Sequence, residues 1–179
     1  MLFAIDEIPT AGLDFAVVKK RRDFDIDQPG VSLSRDVEVV GTLSLSGKDV
    51  YLAGTIKTEL TLQCSRCLEP FQFPVESKVT AHFVPREEPG EEHKEHLEVE
   101  LSTSDIDIEY YDENRVDITQ PVHDQILLAL PFVSVCREGC KGLCVECGKN
   151  LNEGSCGCSH EGPVDPRLEV LRPLKEKLK

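Results

Sequence analysis

Cysteines are the residues of this sequence whose type and spacing most directly suggest chemistry. The eight cysteines fall in three groups with short internal spacing: Cys64 and Cys67; Cys136, Cys140, Cys144 and Cys147; and Cys156 and Cys158. Thiolate sulfur is a preferred ligand of Zn²⁺, and a structural zinc site takes four such ligands in a tetrahedron. Eight thiols divide into two four-cysteine sites with none left over. The sequence therefore predicts two structural zinc ions.

The spacing favours one division of these cysteines over its rival. In the favoured division the first site contains two consecutive pairs, namely Cys64, Cys67, Cys136 and Cys140. The second site is a compact local set, namely Cys144, Cys147, Cys156 and Cys158. In the rival division the four middle cysteines form one site, and the first and last pairs form the other. One zinc ion with free thiols, disulfides, and an iron–sulfur cluster remain as alternatives.

Composition sets the context for these thiols. The chain has 179 residues, with 20 Lys and Arg against 33 Asp and Glu, and a formal net charge of −13. No apolar stretch approaches the roughly 20 residues that a membrane span needs. The first residues lack the basic segment of a secretory signal, so we expect a cytoplasmic setting, where structural disulfides are rare. The acidity argues against a general phosphate-binding surface, which needs clustered Lys and Arg.

Apolar residues alternate with polar ones through the middle of the chain. The alternation runs from Asp36 to Leu62 around a turn at 46–49, which predicts an antiparallel hairpin with one solvated face. Gly54, within the long second strand, predicts a bulge or a bend. The alternation resumes between Phe71 and Phe83. We therefore expect a β-meander that carries the first cysteine pair at the tip of a second hairpin, which is no place for a thioredoxin-like redox motif.

Weaker patterns predict the remaining elements. Short strands are expected at Ile5–Pro9, Leu13–Val18, Leu97–Leu101 and Ile106–Tyr111. A helix follows, capped by Asp117 or Thr119, with Pro121 in its first turn. Pro131 should end this helix. A second helix is expected near the C-terminus, with Asp165 as its cap.

Together these elements predict an α+β fold that is mainly antiparallel β. The expected architecture is a barrel-like β-meander with a few short helices and a C-terminal segment similar to a zinc ribbon. We expect a β-rich core domain over residues 1–135, with an acidic loop at about 85–97. The cysteine-rich zinc-binding segment and the C-terminal helix, residues 136–179, should pack on this core.

Charge is distributed unevenly along the chain. Residues 86–117 hold 13 acidic and three basic residues, which is −10 of the total −13. Such a segment can attract a basic partner over a distance. Six basic residues are candidates for contacts with phosphate or with a partner, ordinary surface charge being the alternative: Lys19, Lys20, Arg21, Arg22, Arg66 and Lys141.

Several of these motifs resemble one family. The run Cys64-Ser65-Arg66-Cys67-Leu68-Glu69-Pro70-Phe71 resembles the signature of the YceD-like family, the large ribosomal RNA subunit accumulation proteins. The segments 126–131, 140–152 and 165–167 resemble the cysteine-rich form of that family. Val145 departs from the pattern, because such knuckles often carry Pro at this position. The resemblance extends from about the first hairpin to the end of the chain.

This resemblance implies a function without implying catalytic residues. In bacteria or plastids, it implies a role in the accumulation or maturation of the large-subunit (23S) ribosomal RNA and in the assembly of the large subunit. The expected partner is a precursor of the large ribosomal subunit, either a ribosomal protein or 23S rRNA or both. Neither a membrane nor a small-molecule substrate is expected, and the location expected for a bacterial member is the cytoplasm.

Two other functions are compatible with the residues. One is a zinc-stabilised interaction module, or adaptor, unrelated to ribosomes. The other is a zinc-dependent enzyme that acts on RNA. Catalytic zinc keeps an open coordination position and usually has three protein ligands, so two all-cysteine sites favour a protein that is not an enzyme.

Overall fold

The structure is a computed structural model, and it describes residues 1–26, 28–86 and 108–158. Within these residues the chain forms eight strands, one α-helix and two short 3-10 helices. The strands are β1 (Leu2–Ala4), β2 (Leu13–Lys19), β3 (Val31–Leu33), β4 (Val37–Ser46), β5 (Asp49–Gln63), β6 (Pro70–Pro85), β7 (Ile108–Tyr111) and β8 (Arg115–Asp117). The helices are α1 (Thr119–Leu128) and the 3-10 turns Ile5–Glu7 and Arg21–Asp23. The acidic loop beyond Arg86, the expected strand Leu97–Leu101 and the expected C-terminal helix lie outside the described residues.

The strands form two sheets, and the α+β prediction is confirmed. The larger sheet has the order β2-β4-β5-β6-β7, with β3 also paired to β5. The consecutive strands β4, β5 and β6 pair antiparallel, as a meander requires. Strand β7 instead pairs parallel to β6. Residues 86–107 connect the two, and a parallel pair needs a crossover of such length.

The expected barrel is not closed. Strands β1 and β8 form a separate two-stranded antiparallel sheet. Phe3 of β1 packs against Phe15 of β2, with ring centroids 4.9 Å apart, so side chains rather than a hydrogen-bond ladder join the two sheets here. Alternation in a sequence shows which face of a strand is apolar, but it does not show which strands pair at the edges of a sheet.

A pair of glycines lies opposite one another in the central hairpin. The register between β4 and β5 is unbroken, and Gly41 pairs with Gly54, so of the bulge or bend expected at Gly54 the bulge is wrong. A Cβ atom at Gly41 would lie 2.5 Å from the carbonyl oxygen of Ala53. A Cβ atom at Gly54 would lie 2.9 Å from that of Val40. The glycines are therefore required by the close approach of two backbones.

The inner face of the larger sheet forms the core, and α1 packs on it. Buried core side chains include Val39, Leu43, Leu52, Ile56, Val79 and Phe83. From the helical side, Ile118, Val122 and Ile126 are fully buried. Gln125 Nε2 donates to Ser77 Oγ of β6 over 2.8 Å. No helix among the described residues has the length and hydrophobicity to cross a bilayer.

The ends of α1 largely follow the sequence signals. Asp117 Oδ1 accepts a hydrogen bond of 2.9 Å from the Thr119 N–H, although Ile118 occupies the cap position itself. Pro121 lies in the first turn, as expected, because a first-turn residue needs no backbone donor. The helix ends at Leu128, before Pro131.

The N-terminal region corrects one expected strand and confirms another. The strand expected at Ile5–Pro9 is wrong, because Ile5–Glu7 is a 3-10 helix. Ile5 and Ile8 are both buried, and a three-residue turn brings both to the same side, which an extended strand would not. The strand expected at Leu13–Val18 is confirmed as β2.

Candidate metal centres

The tip of the β5–β6 hairpin is a tight turn that presents two cysteines. The Cys64 N–H donates to the Glu69 carbonyl oxygen over 2.9 Å, and the Leu68 N–H donates to the Cys64 carbonyl oxygen over 2.9 Å. These bonds fold the loop back on itself between the two strands. Leu68 has a φ of 61°, in the left-handed region that glycine adopts more cheaply. We call this turn the first knuckle.

A second turn of the same geometry lies beyond the helix. The Cys144 N–H donates to the Lys149 carbonyl oxygen over 2.8 Å, and the Gly148 N–H donates to the Cys144 carbonyl oxygen over 2.9 Å. Gly148 has a φ of 72°, so glycine here occupies the conformation that Leu68 occupies in the first turn. We call this turn, which carries Cys144 and Cys147, the second knuckle.

Hydrogen bonds hold the segment after α1, residues 134–143, against the first knuckle, and we call it the docked segment. The Ser65 N–H and Oγ–H both donate to the Ser134 carbonyl oxygen, over 2.8 and 2.9 Å. The Arg66 guanidinium donates to the Cys140 carbonyl oxygen over 3.1 Å. The Leu143 N–H donates to the Arg66 carbonyl oxygen over 3.1 Å. The first knuckle therefore receives Cys136 and Cys140 on an irregular segment of bends and turns that is fixed to it at several points.

The eight sulfurs lie in two groups of four, which are the groups that the spacing favours. The first cluster contains Cys64, Cys67, Cys136 and Cys140. The second cluster contains Cys144, Cys147, Cys156 and Cys158. In each cluster the four sulfurs all lie within 4.8 Å of one another. The rival division, with the four middle cysteines in one site, is therefore wrong as a description of this structure.

The sulfur separations fit a tetrahedral ion. A tetrahedron with Zn–S bonds of about 2.3 Å has edges of about 3.8 Å. In the first cluster the sulfurs of Cys64 and Cys140 are 3.8 Å apart, as are those of Cys67 and Cys136. In the second cluster the sulfurs of Cys144 and Cys156 are 3.4 Å apart, which is shorter than such an edge, so these two thiols would separate slightly around an ion. Each cluster has a complete four-thiol donor set, so neither needs a fifth group to close it.

The two clusters differ in burial. In the first, Cys64, Cys67 and Cys140 are buried, and Phe71, Val135 and Leu143 pack around them. In the second, only Cys144 is buried, Cys147 is exposed, and the last two cysteines are half-buried. The first cluster is part of the protein interior, whereas the second lies at the surface.

Backbone hydrogen bonds favour a thiolate in the first cluster. Burial raises the pKa of the Cys64 thiol, but N–H groups of Cys136, Cys67 and Arg66 more than offset this and bring that pKa to about 6. Burial, together with the neighbouring sulfurs, raises the pKa of Cys136 to about 12. Four thiolates cannot share this space without a cation, and a bound divalent cation would supply the missing charge.

The second cluster shows the same electrostatic pattern. The N–H groups of Cys147 and Glu146 lower the pKa of Cys144 to about 6 despite burial. Hydrogen bonding to Cys147, followed by burial, raises the pKa of Cys158 to about 12. Both donor sets therefore suit a soft or borderline divalent ion such as Zn²⁺, which prefers thiolates in a closed tetrahedral site.

The basic residues predicted as contacts lie in two different parts of the fold. The run Lys19–Arg22 lies where β2 ends and the following 3-10 helix begins. Lys20 Nζ lies 2.9 Å from Asp36 Oδ2, and Arg22 Nε lies 3.7 Å from Asp23 Oδ1. Part of the positive charge of this run is therefore balanced by neighbouring carboxylates.

Arg66 and Lys141 lie beside the first cluster instead. Both residues are exposed. The Arg66 guanidinium donates to backbone carbonyls of Glu138 and Cys140, so it has a structural part in holding the knuckle together. The contacts of both groups of basic residues with phosphate or a partner stay predictions.

Asn152 is a site residue that the sequence reasoning missed. Its Nδ2 donates to the sulfur of Cys140 over 3.4 Å, and its Oδ1 accepts from the Lys141 N–H over 3.0 Å. The Asn152 side chain lowers the pKa of Cys140. The only signal in the sequence was an asparagine in the loop between two cysteine pairs, which also fits an ordinary turn.

This architecture defines a class, namely a mainly antiparallel β-sheet protein that carries two four-cysteine clusters at one hairpin tip and in the segment that follows α1. The family model described as the large ribosomal RNA subunit accumulation protein YceD matches residues 52–175, a range that includes both clusters. The chain belongs to this family. No solved structure matches the chain.

Relatives occur in bacteria and in plants. An uncharacterized protein of Mycobacterium tuberculosis is 33% identical over 158 residues, which cover 86% of this chain and 69% of that protein. The chloroplastic large ribosomal RNA subunit accumulation protein YCED homolog 1 of Arabidopsis thaliana is 29% identical over 150 residues. That match covers 73% of this chain and 46% of the plant protein, so the chain spans about half of its length. The uncharacterized protein YlbN of Bacillus subtilis is 25% identical over 174 residues, 97% of this chain and 94% of that protein.

Proposed function

We propose that this protein supports the accumulation or maturation of the 23S ribosomal RNA as a non-enzymatic assembly factor of the large subunit, in the bacterial cytoplasm. Membership of a family named for large ribosomal RNA subunit accumulation supports a ribosome-related role, and the match over residues 52–175 carries the proposal. The names of the plant relatives, which are large ribosomal RNA subunit accumulation proteins, agree with it.

Both clusters are proposed to hold one structural Zn²⁺ each. Four cysteine ligands leave no open position for substrate or water, which argues for stabilisation rather than Lewis-acid catalysis. In this role the first ion fixes Cys136 and Cys140 to the β5–β6 hairpin, and the second ion fixes a surface loop. Elemental analysis of the purified protein should return two zinc ions per chain and no iron.

The partner is proposed to be a precursor of the large subunit, reached mainly through a basic ribosomal protein. The formal charge of −13 favours a basic protein surface over extensive direct contact with RNA, because complementary potentials steer association. The candidate basic contacts, Lys19–Arg22, Arg66 and Lys141, would then make limited contact with 23S rRNA.

Depletion of the protein in a bacterium that encodes it tests this function. We expect a deficit of mature 23S rRNA and of large subunits in a sucrose-gradient ribosome profile, with small subunits much less affected. A tagged protein should sediment in part with large-subunit precursors. A normal 23S level after depletion, together with a tagged protein that stays free of ribosomal particles, would favour the unrelated adaptor instead.

A separate assay distinguishes an assembly factor from an enzyme. Purified protein is incubated with precursor 23S rRNA, and the RNA ends are mapped by primer extension. We expect unchanged ends at catalytic amounts of protein. Defined cleavage that is lost with the Cys64→Ser variant would instead identify a zinc-dependent activity on RNA.

A further inference from the structure

The side chain of Asn152 belongs to the loop of one cluster and contacts a ligand of the other. Asn152 lies between Cys147 and Cys156, both of which are in the second cluster. Its Nδ2 nevertheless donates to the sulfur of Cys140 in the first cluster, over 3.4 Å. Its Oδ1 also accepts from the N–H of Lys141, the residue next to that ligand. This amide is therefore a direct physical link between the two centres.

The position of Asn152 depends on the loop that carries it. Asn150 Oδ1 accepts from the Asn152 N–H over 3.0 Å and from Asn152 Nδ2 over 2.9 Å. The Leu151 N–H donates to the Gly142 carbonyl oxygen over 2.9 Å. The second cluster holds this loop on both sides, because it takes ligands before and after it. Ordering of the second cluster thus delivers the amide to Cys140.

A donor to a bound thiolate strengthens metal retention. Hydrogen bonds to an ionised acceptor are stronger than those between neutral groups, and loss of an outer partner of a metal ligand typically costs 10–100-fold in metal affinity. The Nδ2 of Asn152 donates to Cys140, and the Cys136 N–H donates to Cys64 Sγ over 3.4 Å. The first of these two donors is supplied by the second cluster's loop.

We propose that Asn152 couples the two clusters, so that metal binding at the second cluster strengthens metal retention at the first. The inference rests on the proposed binding of zinc by both clusters. Coupling of this kind is reciprocal, so a filled first cluster also favours the second. The consequence is that loss of metal from the exposed second cluster loosens the hold of the buried first one.

A comparison of four full-length proteins tests the coupling. They are the unsubstituted chain, the Asn152→Ala variant, a Cys156→Ser, Cys158→Ser variant that lacks the second site, and the combination of all three substitutions. Each protein is loaded with ¹¹³Cd²⁺, whose resonances report the two sites separately, and metal loss to excess chelator is followed. With the second site intact, Asn152→Ala should speed loss from the first cluster by about 10–100-fold.

Without the second site, the same substitution should change the rate by less than about threefold, because the loop no longer holds the amide in place. The Asn152→Asp variant keeps an acceptor for the Lys141 N–H but has no donor for sulfur, and it should behave like Asn152→Ala. Glu153→Gln is the matched control in the same loop and should leave both rates unchanged. Amide exchange in β4 and β5 verifies that each variant retains its sheet.

The outcomes separate the coupling from the zinc proposal. Equal effects of Asn152→Ala with and without the second site would make Asn152 a local hydrogen-bond donor and overturn the coupling. An unchanged release rate in the Asn152→Asp variant, with both sites filled, would also overturn it. A chain that binds fewer than two metal ions would overturn the zinc proposal and the coupling with it.

Discussion

The first cluster joins sulfurs that are up to 76 residues apart, whereas the second takes all of its sulfurs from the segment between Cys144 and Cys158. Both are built on a knuckle with the same pair of backbone hydrogen bonds. The local geometry of a four-cysteine site is therefore independent of its place in the fold. Its contribution to the whole protein depends on how far apart in the chain its ligands lie.

The residue after the second cysteine of each knuckle shows the same contrast. Gly148 occupies the left-handed conformation in the second knuckle, whereas Leu68 occupies it in the first. A left-handed non-glycine residue costs roughly 1–2 kcal/mol. The first knuckle is held by β5, β6 and the docked segment, and these neighbours keep Leu68 in this conformation despite its cost. The second knuckle has fewer such supports and uses glycine.

The largest difference is expected between Cys64→Ser and Cys156→Ser. Loss of Cys64 should remove much of the metal-binding free energy that ties the docked segment to the sheet. For a whole site in zinc-finger peptides, this free energy is roughly 10–16 kcal/mol. We expect Cys64→Ser to lower the melting temperature strongly and to raise amide exchange throughout residues 134–158 and at the ends of β5 and β6. Cys156→Ser should raise exchange mainly within residues 144–158. Equal and local exchange effects for the two substitutions would contradict the assignment of a long-range tie to the first cluster.

Removal of metal by a chelator should follow burial. The second cluster has an exposed ligand in Cys147, whereas Cys64 in the first cluster is fully buried. Local opening costs less free energy at the surface, so the second cluster should lose its zinc about tenfold faster or more. Zinc release is followed with a metal-sensitive dye. The fast phase should be absent from the Cys156→Ser protein, which assigns that phase to the second cluster. A single phase for both ions would show that burial does not control release.

A smaller effect is expected from substitution of the left-handed residue in each knuckle. Gly148→Ala should destabilise the second knuckle by about 1–2 kcal/mol, because alanine is strained at positive φ. Leu68→Gly should relieve strain in the first knuckle, and the greater backbone entropy of glycine in the unfolded chain limits the gain to about 1 kcal/mol or less. Chemical denaturation of the zinc-loaded protein, with chelator midpoints for each site, measures both changes. Destabilisation by Leu68→Gly would show that the exposed leucine side chain makes a stabilising contact.

The smallest effect concerns the basic residues beside the first cluster. Arg66→Ala removes donors to the carbonyls of Cys140 and Glu138 and should cost about 1 kcal/mol of stability. Lys141→Ala keeps the backbone N–H that donates to Asn152 and should lie within about 0.5 kcal/mol of the unsubstituted protein. If both variants co-sediment less with large-subunit precursors, we expect only the Arg66→Ala variant to have lost stability as well. Equal stability of the two variants would remove the structural part assigned to Arg66.

Some of this structure follows directly from the sequence. Alternation between Asp36 and Leu62 predicted the β4–β5 hairpin, because a period of two places the apolar side chains on one face of an extended strand. Spacing also predicted the division of the cysteines, since consecutive pairs on short turns bring sulfurs together. Asp117, which accepts from the Thr119 N–H although Ile118 is the cap residue, and Pro131 indicated the two ends of α1, because their effects are local in the chain.

Other features depend on partners that the sequence does not name. Gly54 was interpreted as a bulge or a bend, but this glycine is required by Gly41 on the opposite strand, and strand register is a tertiary property. The pairing of β1 with β8 joins residues from opposite ends of the described core, and neither short strand has a periodic pattern of its own. Asn152 was missed for the same reason, because its acceptor is a sulfur brought in by the fold.

The long chain separation within the first cluster has a consequence for the order of folding during synthesis. The Cys67 and Cys136 sulfurs close a loop of 69 residues, against 12 for Cys144 and Cys156, which costs roughly 1.5 kcal/mol more in loop-closure entropy. At about 5–20 residues per second, the ribosome takes roughly 3–14 seconds to add those 69 residues. During that interval the nascent hairpin presents two thiols, which are half of the ligands of the first cluster. Cys136 and the ligands that follow it then emerge in quick succession, so both sites reach completion within the same short stretch of translation.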